Sequence, residues 1–164
     1  MLTVLKVMGI IVFIIVVLYL LMIMPRMVKR PDFRPFTGRL YAHRGLHNNE
    51  TNAPENSMNA FAKAVDAGYG IELDVQLTKD EKMVVCFDLK RICGKDVKVR
   101  DLTYEELQQY PICQSDQTIP TFAEVLKLID GKVPLIIEYK IPGMDTKVCE
   151  MADELLQSYH GLYC

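Results

Sequence analysis

Glu72 and Asp74 stand two apart in the apolar run Ile71-Glu72-Leu73-Asp74-Val75. In an extended strand such residues share a face, so both carboxylates point the same way, as ligands for a hard divalent cation must. Leu135-Ile136-Ile137-Glu138-Tyr139-Lys140 repeats the arrangement and puts Glu138 and Lys140 on one face. Upstream lie Ala42-His43-Arg44-Gly45 and Pro54-Glu55-Asn56-Ser57. Phosphodiester hydrolysis is one reaction that such residues could serve, since it needs cations on the phosphoryl oxygens, a base for the nucleophile and an acid for the leaving alkoxide. Glu72, Asp74 and Glu138 are candidate ligands for Mg²⁺ or Ca²⁺. Arg44 and Lys140 are candidate phosphate cations, and His43 is the candidate acid/base, because imidazole changes charge near neutral pH. The plainer alternative is that the carboxylates are solvated strand-end charges or simply pair with Lys140. His47, in a polar loop, and His160, at a helix end, read as incidental.

The elements that must position these groups alternate. Arg39–His43 reads as a first strand and Gly70–Leu77 as a second. Between them Asn56 or Ser57 caps a helix with Met58, Phe61, Ala62 and Val65 on its apolar face, ended by Gly68. The connection Thr78–Lys82 is too short for a parallel crossover. Met83–Phe87 therefore returns antiparallel, and a turn centred on Asp80-Glu81 sets residue 87 opposite residue 74. Thr103…Glu106 and Thr121…Glu124 fit capping boxes, the second opening a helix that Gly131 stops. Pro134–Lys140 is the next strand. Asp145 then caps a helix carrying Val148, Met151, Ala152, Leu155 and Tyr159, closed by Gly161. Such alternation predicts an α/β fold with a parallel sheet or barrel.

His-Arg-Gly, Pro-Glu-Asn, Ile-Glu-Leu-Asp-Val, Leu-Thr-Lys-Asp, Arg-Ile-Cys-Gly, Ile-Pro-Thr-Phe and Ile-Glu-Tyr-Lys follow one another in order from about Leu40 to Lys140. In these motifs and their spacing the chain resembles the glycerophosphodiester phosphodiesterase family. The resemblance implies a TIM (β/α)8 barrel of the PLC-like phosphodiesterase type. It also implies metal-dependent cleavage of deacylated phospholipids such as glycerophosphocholine to glycerol 3-phosphate and an alcohol. The metal ligands would be Glu72, Asp74 and Glu138. Arg44 and Lys140 would bind phosphate, with His43 and Arg44 catalytic. Glu55 and Asn56 would sit at the pocket rim. Read from position alone, Glu55 is equally a first-turn carboxylate that complements a helix dipole, and Asn56 a cap.

The chain departs from the family in two ways. The family carries a His-Asp pair after the apolar hairpin arm, where this chain reads Val84-Val85-Cys86-Phe87-Asp88-Leu89-Lys90-Arg91. Either Phe87 replaces the histidine or a short deletion removes it. The expectation is impaired turnover, with an inactive, membrane-tethered phosphodiester-binding or partner-binding module as one alternative. A related metal-dependent phospholipase is the other. Secondly, residues 40–164 make up about half of the ~250 residues of a complete barrel, so a partial barrel is expected. Its strand Pro134–Lys140 would then have an open edge, through which the chain is expected to aggregate or form a homodimer.

Composition fits this reading. The 164 residues carry a formal charge of −2, which argues against nucleic acid as a partner. Five cysteines without CxxC or finger spacing fit a reducing compartment. Residues 1–25 read as a transmembrane anchor, since Val7–Met24 is uncharged and Pro25 ends it. A cleaved signal peptide is the alternative; against it, the apolar stretch is long and no small-residue cleavage site follows. Residues 26–39 form a basic linker with Arg26, Lys29, Arg30, Arg34 and Arg39. By the positive-inside rule this makes a single-pass protein whose domain 40–164 is cytoplasmic.

Overall fold

The computed structural model describes residues 2–25, 31–141, 143 and 146–164, in two units, 1–35 and 36–164. In the first unit α1 (Leu2–Ile23) is apolar on every side, and its side chains from Thr3 onward are exposed. Its 22 residues span about 33 Å at ~1.5 Å per residue, enough for a ~30 Å bilayer core. Membrane spans and signal sequences share this character. Arg26, Lys29 and Arg30, on which part of the expected orientation rests, lie outside the described residues.

In the second unit, β2 (Gly70–Leu77) is the hub of a four-stranded sheet. One of its edges pairs in parallel with β4 (Leu135–Tyr139), with Asp74 level with Glu138. Two short strands share the other edge. Parallel β1 (Tyr41–His43) takes the first half, with His43 level with Glu72. Antiparallel β3 (Met83–Val85) takes the second half. Gly70 has no Cβ for a reason: one would sit 2.4 Å from Cε1 of Tyr41, whose ring lies across that position.

The odd residues of β2 face helices α2 (Met58–Asp66), α5 (Phe122–Ile129) and α6 (Lys147–Leu156). Ile71, Leu73 and Val75 form the main core there with Phe61, Phe122 and Ile129. Ser57, not Asn56, caps α2, accepting from Ala60 N–H. Both expected capping boxes form, on α4 (Tyr104–Leu107) and on α5. A second apolar cluster, with Val84, Cys86, Leu89, Ile92, Leu107 and Ile119, joins the hairpin arm to α3 (Leu89–Cys93) and α4.

Four expectations are corrected. The hairpin pairs Leu77 with Met83, so residue 86 rather than 87 faces 74, and Cys86 N–H donates to Asp74 O at 2.9 Å. The loop is centred on Asp80, because Glu81 turns left-handed (φ 60°) and takes up one more residue. Thr146 stands at the N-cap of α6 with no side-chain cap bond, while Asp145 lies outside the described residues. α6 ends at Leu156, before Tyr159, whose hydroxyl instead accepts from Gly131 N–H. Finally, the outer edge of β4 is not open along its first half. Leu135 and Ile137 N–H donate to Leu162 O and Cys164 O, so a homodimer through that edge loses its premise there.

Candidate active site

The chain leaves β1 at the site itself. Arg44 takes a left-handed conformation (φ 59°), and its N–H donates to both the backbone and a side-chain oxygen of Glu72. Gly45 (φ 82°) follows where α2 passes so close that a Cβ would lie 2.9 Å from Ala60. No other residue fits that crossing without strain. The turn throws the Arg44 side chain under the sheet's polar face, where only 6% of the residue is exposed.

Glu72, Asp74 and Glu138 converge on that face, with one oxygen from each within 4.8 Å of the others. Oxygens shared by one cation at about 2.0–2.6 Å are at most about 5 Å apart, so the donor set fits a hard divalent ion. Asp74 is fully buried. Asn56 Nδ2 donates to its Oδ2 at 3.0 Å, Arg44 Nε lies 3.0 Å from Oδ2, and Lys140 Nζ lies 3.0 Å from Oδ1. The Arg44 and Lys140 contacts are not aligned as hydrogen bonds, which leaves Asp74 Oδ1 a buried acceptor without a directed donor. A cation between the carboxylates would satisfy that oxygen. Lys140 also pairs with Glu138. Burial lowers the Lys140 pKa, but its contacts with the Glu138 and Asp74 carboxylates outweigh this and raise it overall. Glu72 is pushed up by burial and then by the Asp74 charge. His43, two-thirds exposed, holds Nε2 3.7 Å from Glu72 Oε2.

Glu55 and Asn56 lie beneath the site rather than at a rim, because the left-handed turn at Asn56 (φ 56°) folds both inward. Nor does Glu55 belong to a helical first turn, since α2 starts three residues later. It pairs with Arg44 on one oxygen; the other accepts from Arg91 Nε at 2.6 Å and Asn49 Nδ2 at 3.1 Å. Burial raises its pKa, but the hydrogen bonds from Arg91 and Arg44 outweigh this and lower it overall. Arg91 and Asn49 were not anticipated. Arg91 lies 36 residues from Glu55 in the chain, and no local pattern joins them. Phe87 stands beside the cluster, its ring centroid 3.7 Å from Arg44 Cζ. A cleft of about 880 Å³ opens past Phe87 and Lys140 between the hairpin and the start of α6.

Known proteins resemble this chain in sequence and fold. Residues 43–163 match the model of the Glycerophosphoryl diester phosphodiesterase family. A glycerophosphodiester phosphodiesterase of Bacillus altitudinis is 37% identical over 145 residues, covering 74% of this chain and 58% of that protein. Lysophospholipase D GDPD1 of Rattus norvegicus is 32% identical over 157 residues, covering 86% and 48%. Among solved structures, the glycerophosphodiester phosphodiesterase of Thermotoga maritima superposes with TM-score 0.61 at 34% identity, over 76% of this chain and 52% of that one. An Oleispira antarctica phosphodiesterase, solved with its product sn-glycerol-3-phosphate, gives TM-score 0.64 at 25% identity, over 76% and 54%. The chain thus spans about half the length of the relatives it matches, and its sheet and helices form the corresponding part of their TIM-barrel-like fold. With residues 43–163 matched by the family model, this chain belongs to the glycerophosphoryl diester phosphodiesterase family.

Proposed function

We propose that the chain carries the metal- and phosphate-binding half of an enzyme that hydrolyses glycerophosphodiesters to glycerol 3-phosphate and an alcohol. The observation that carries this is the meeting of Glu72, Asp74 and Glu138 within 4.8 Å, with two cations on Asp74. Glu72, Asp74 and Glu138 would hold Mg²⁺ or Ca²⁺, which would supply positive charge to the phosphoryl oxygens. Arg44 and Lys140 bind the phosphate and orient it. His43, exposed at the open face, moves the proton. Four carboxylates (Glu55, Glu72, Asp74, Glu138) against three cations (Arg44, Arg91, Lys140) leave the cluster one negative charge in excess. A divalent ion turns this into one positive charge, which suits a phosphodiester monoanion.

The test is calorimetric titration of the full chain in detergent with Mg²⁺ and with Ca²⁺, alongside a glycerophosphocholine hydrolysis assay with and without chelator. One metal site, lost in Asp74→Asn, is expected. Turnover is expected to be weak, since loss of one acid/base group costs about 10²–10⁴-fold. Equal metal binding by wild type and variant would sink the assignment. The missing histidine after the hairpin arm, whether replaced by Phe87 or deleted, favours a second reading in which the site binds phosphodiesters without cleaving them. Release of no glycerol 3-phosphate by a metal-loaded chain that still binds it would select that reading.

The lysophospholipase D match supports a lysophospholipid substrate. It takes in 86% of the chain, about 141 residues, which exceeds residues 36–164 and so reaches into the first 35. On this reading α1 is a membrane anchor and the domain is cytoplasmic. The protein should then remain in membranes after alkaline carbonate washing, and protease added outside intact cells should leave the domain whole.

A further inference from the structure

β3 ends at Val85, and the chain leaves the sheet beside the carboxylate cluster. The Gln76 side chain then takes over from the strand ladder, Nε2 donating to Cys86 O at 2.6 Å and to Phe87 O at 3.1 Å. Asp88 accepts from Lys90 N–H and caps α3. Phe87 is thus fixed from both sides, and its ring meets charge rather than core. Arg44 Cζ lies 3.7 Å and Lys140 Nζ 4.5 Å from the ring centroid. Both are inside the ~6 Å range over which a cation is drawn to an aromatic face. Phe87 is a member of neither apolar cluster, nor one of the half-buried side chains packed against them. A phenylalanine serving only as core filler would be.

Charge explains why such a ring is useful. Arg44 and Lys140 approach the two oxygens of one carboxylate, Asp74, each at 3.0 Å. They repel one another, and Arg44 is withdrawn from the water that would screen it. A ring quadrupole facing both offsets part of this repulsion. It does so without the full negative charge of another carboxylate, which would compete with an anionic ligand.

Building on the reading of Arg44 and Lys140 as phosphate ligands, we propose that Phe87 is a positioning residue whose ring holds these two cations in place for a phosphoanion. Phe87→Leu keeps apolar bulk and removes the π face, whereas Phe87→Tyr keeps the face. The full chain in detergent micelles, with excess Mg²⁺, is titrated calorimetrically with sn-glycerol 3-phosphate as wild type and as each variant. Leucine should weaken binding about tenfold, within the range of desolvated cation–π contacts, and tyrosine should restore it to within about threefold. Thermal midpoints should be alike.

A second readout needs no ligand. In NMR spectra the Arg44 Nε–H and Lys140 side-chain signals should be ring-current shifted in wild type and Phe87→Tyr, and unshifted in Phe87→Leu. Tight binding that is indifferent to leucine, or tyrosine as weak as leucine, overturns the proposal alone. Ring-current shifts in a wild type that binds no glycerol 3-phosphate overturn the phosphate-site reading, and the proposal falls with it.

Discussion

Ile71, Leu73 and Val75, alternate residues of β2, are fully buried among side chains of α2, α5 and α6. Glu72, Asp74 and Gln76, between them, put two carboxylates and an amide on the opposite face. One strand therefore has a face that gains free energy by leaving water and a face that loses it unless every charge finds a partner. The partners on the second face come from far away in sequence. Arg44 arrives on the turn after β1, Lys140 at the end of β4, and Asn56 and Glu55 on the loop before α2. The apolar face tolerates exchange of one hydrocarbon for another. The polar face is a single network, in which each member's protonation and placement depend on the others.

The largest expected effect tests whether that network supports itself. Glu55→Ala leaves the Arg44 guanidinium buried with one of its two carboxylates gone, and removing one member of a buried pair costs about 3–5 kcal/mol. Denaturant unfolding in detergent measures it, and a loss under about 1 kcal/mol would mean that Asp74 alone holds Arg44. On the other face, Leu73→Ala should cost a comparable 2–5 kcal/mol or so by leaving a cavity. The two variants should part company in metal titration. Leu73→Ala should keep wild-type affinity in the folded fraction, while Glu55→Ala should weaken it through the shifted Arg44. Equal loss of metal binding in both would erase the distinction between the faces.

How far each face could be read from the sequence follows the same division. The bounds of β2 and the shared face of Glu72 and Asp74 follow from strand periodicity alone, because period two is local information, whereas the register that sets Glu138 level with Asp74 is a long-range pairing that periodicity does not carry. Thr121 and Glu124 announced α5 for the same reason. The hairpin register missed by one because Glu81 adopts a left-handed conformation, which its residue type does not signal. Phe87 nevertheless reaches the cluster, since it extends past the end of β3 and turns toward Arg44. Arg91 on Glu55 was illegible: an exposed-looking basic residue in a helical turn acquires its role only when α3 packs beside the loop before α2. The pairing of Leu162–Cys164 on β4 was missed because three residues after a glycine carry no strand pattern of their own.

A smaller effect should reach the apolar face without touching a charge. Thr121 accepts from Glu124 N–H, and Glu124 in return accepts from Thr121 N–H. Thr121→Ala removes the cap of the helix that presents Phe122, Val125 and Ile129 to β2, at a cost of about 1 kcal/mol. The thermal midpoint should fall slightly and metal affinity should not change. A changed affinity would show that α5 sets the spacing of the carboxylates through the core.

The smallest effect, a tilt of stability with pH, separates the carboxylates within the polar face itself. Glu72 has its folded pKa raised by burial and by Asp74, so below the ordinary glutamate value both folded and unfolded chains hold its proton. As pH rises from that value to the raised one, the folded chain keeps a proton that the unfolded chain has released. Stability therefore falls through that window and stays lower above it. Glu55 has the opposite sign. Its folded pKa is lowered by Arg91 and Arg44 against the effect of burial, so its contribution is complete above the ordinary value and is lost as pH falls through the lowered one. Across pH ~2 to 7 in chelator, Glu55→Gln should lose stability relative to wild type as pH rises to the ordinary glutamate value and stay level above it, while Glu72→Gln should stay level below that value and gain stability above it. Thermal midpoints of the three proteins across that range decide the matter. If the Glu72→Gln difference is flat with pH, its burial and the Asp74 charge do not destabilise the ionised form. Adding Mg²⁺ should abolish the Glu72 tilt and spare that of Glu55, because only Glu72 faces the space where the three carboxylates meet.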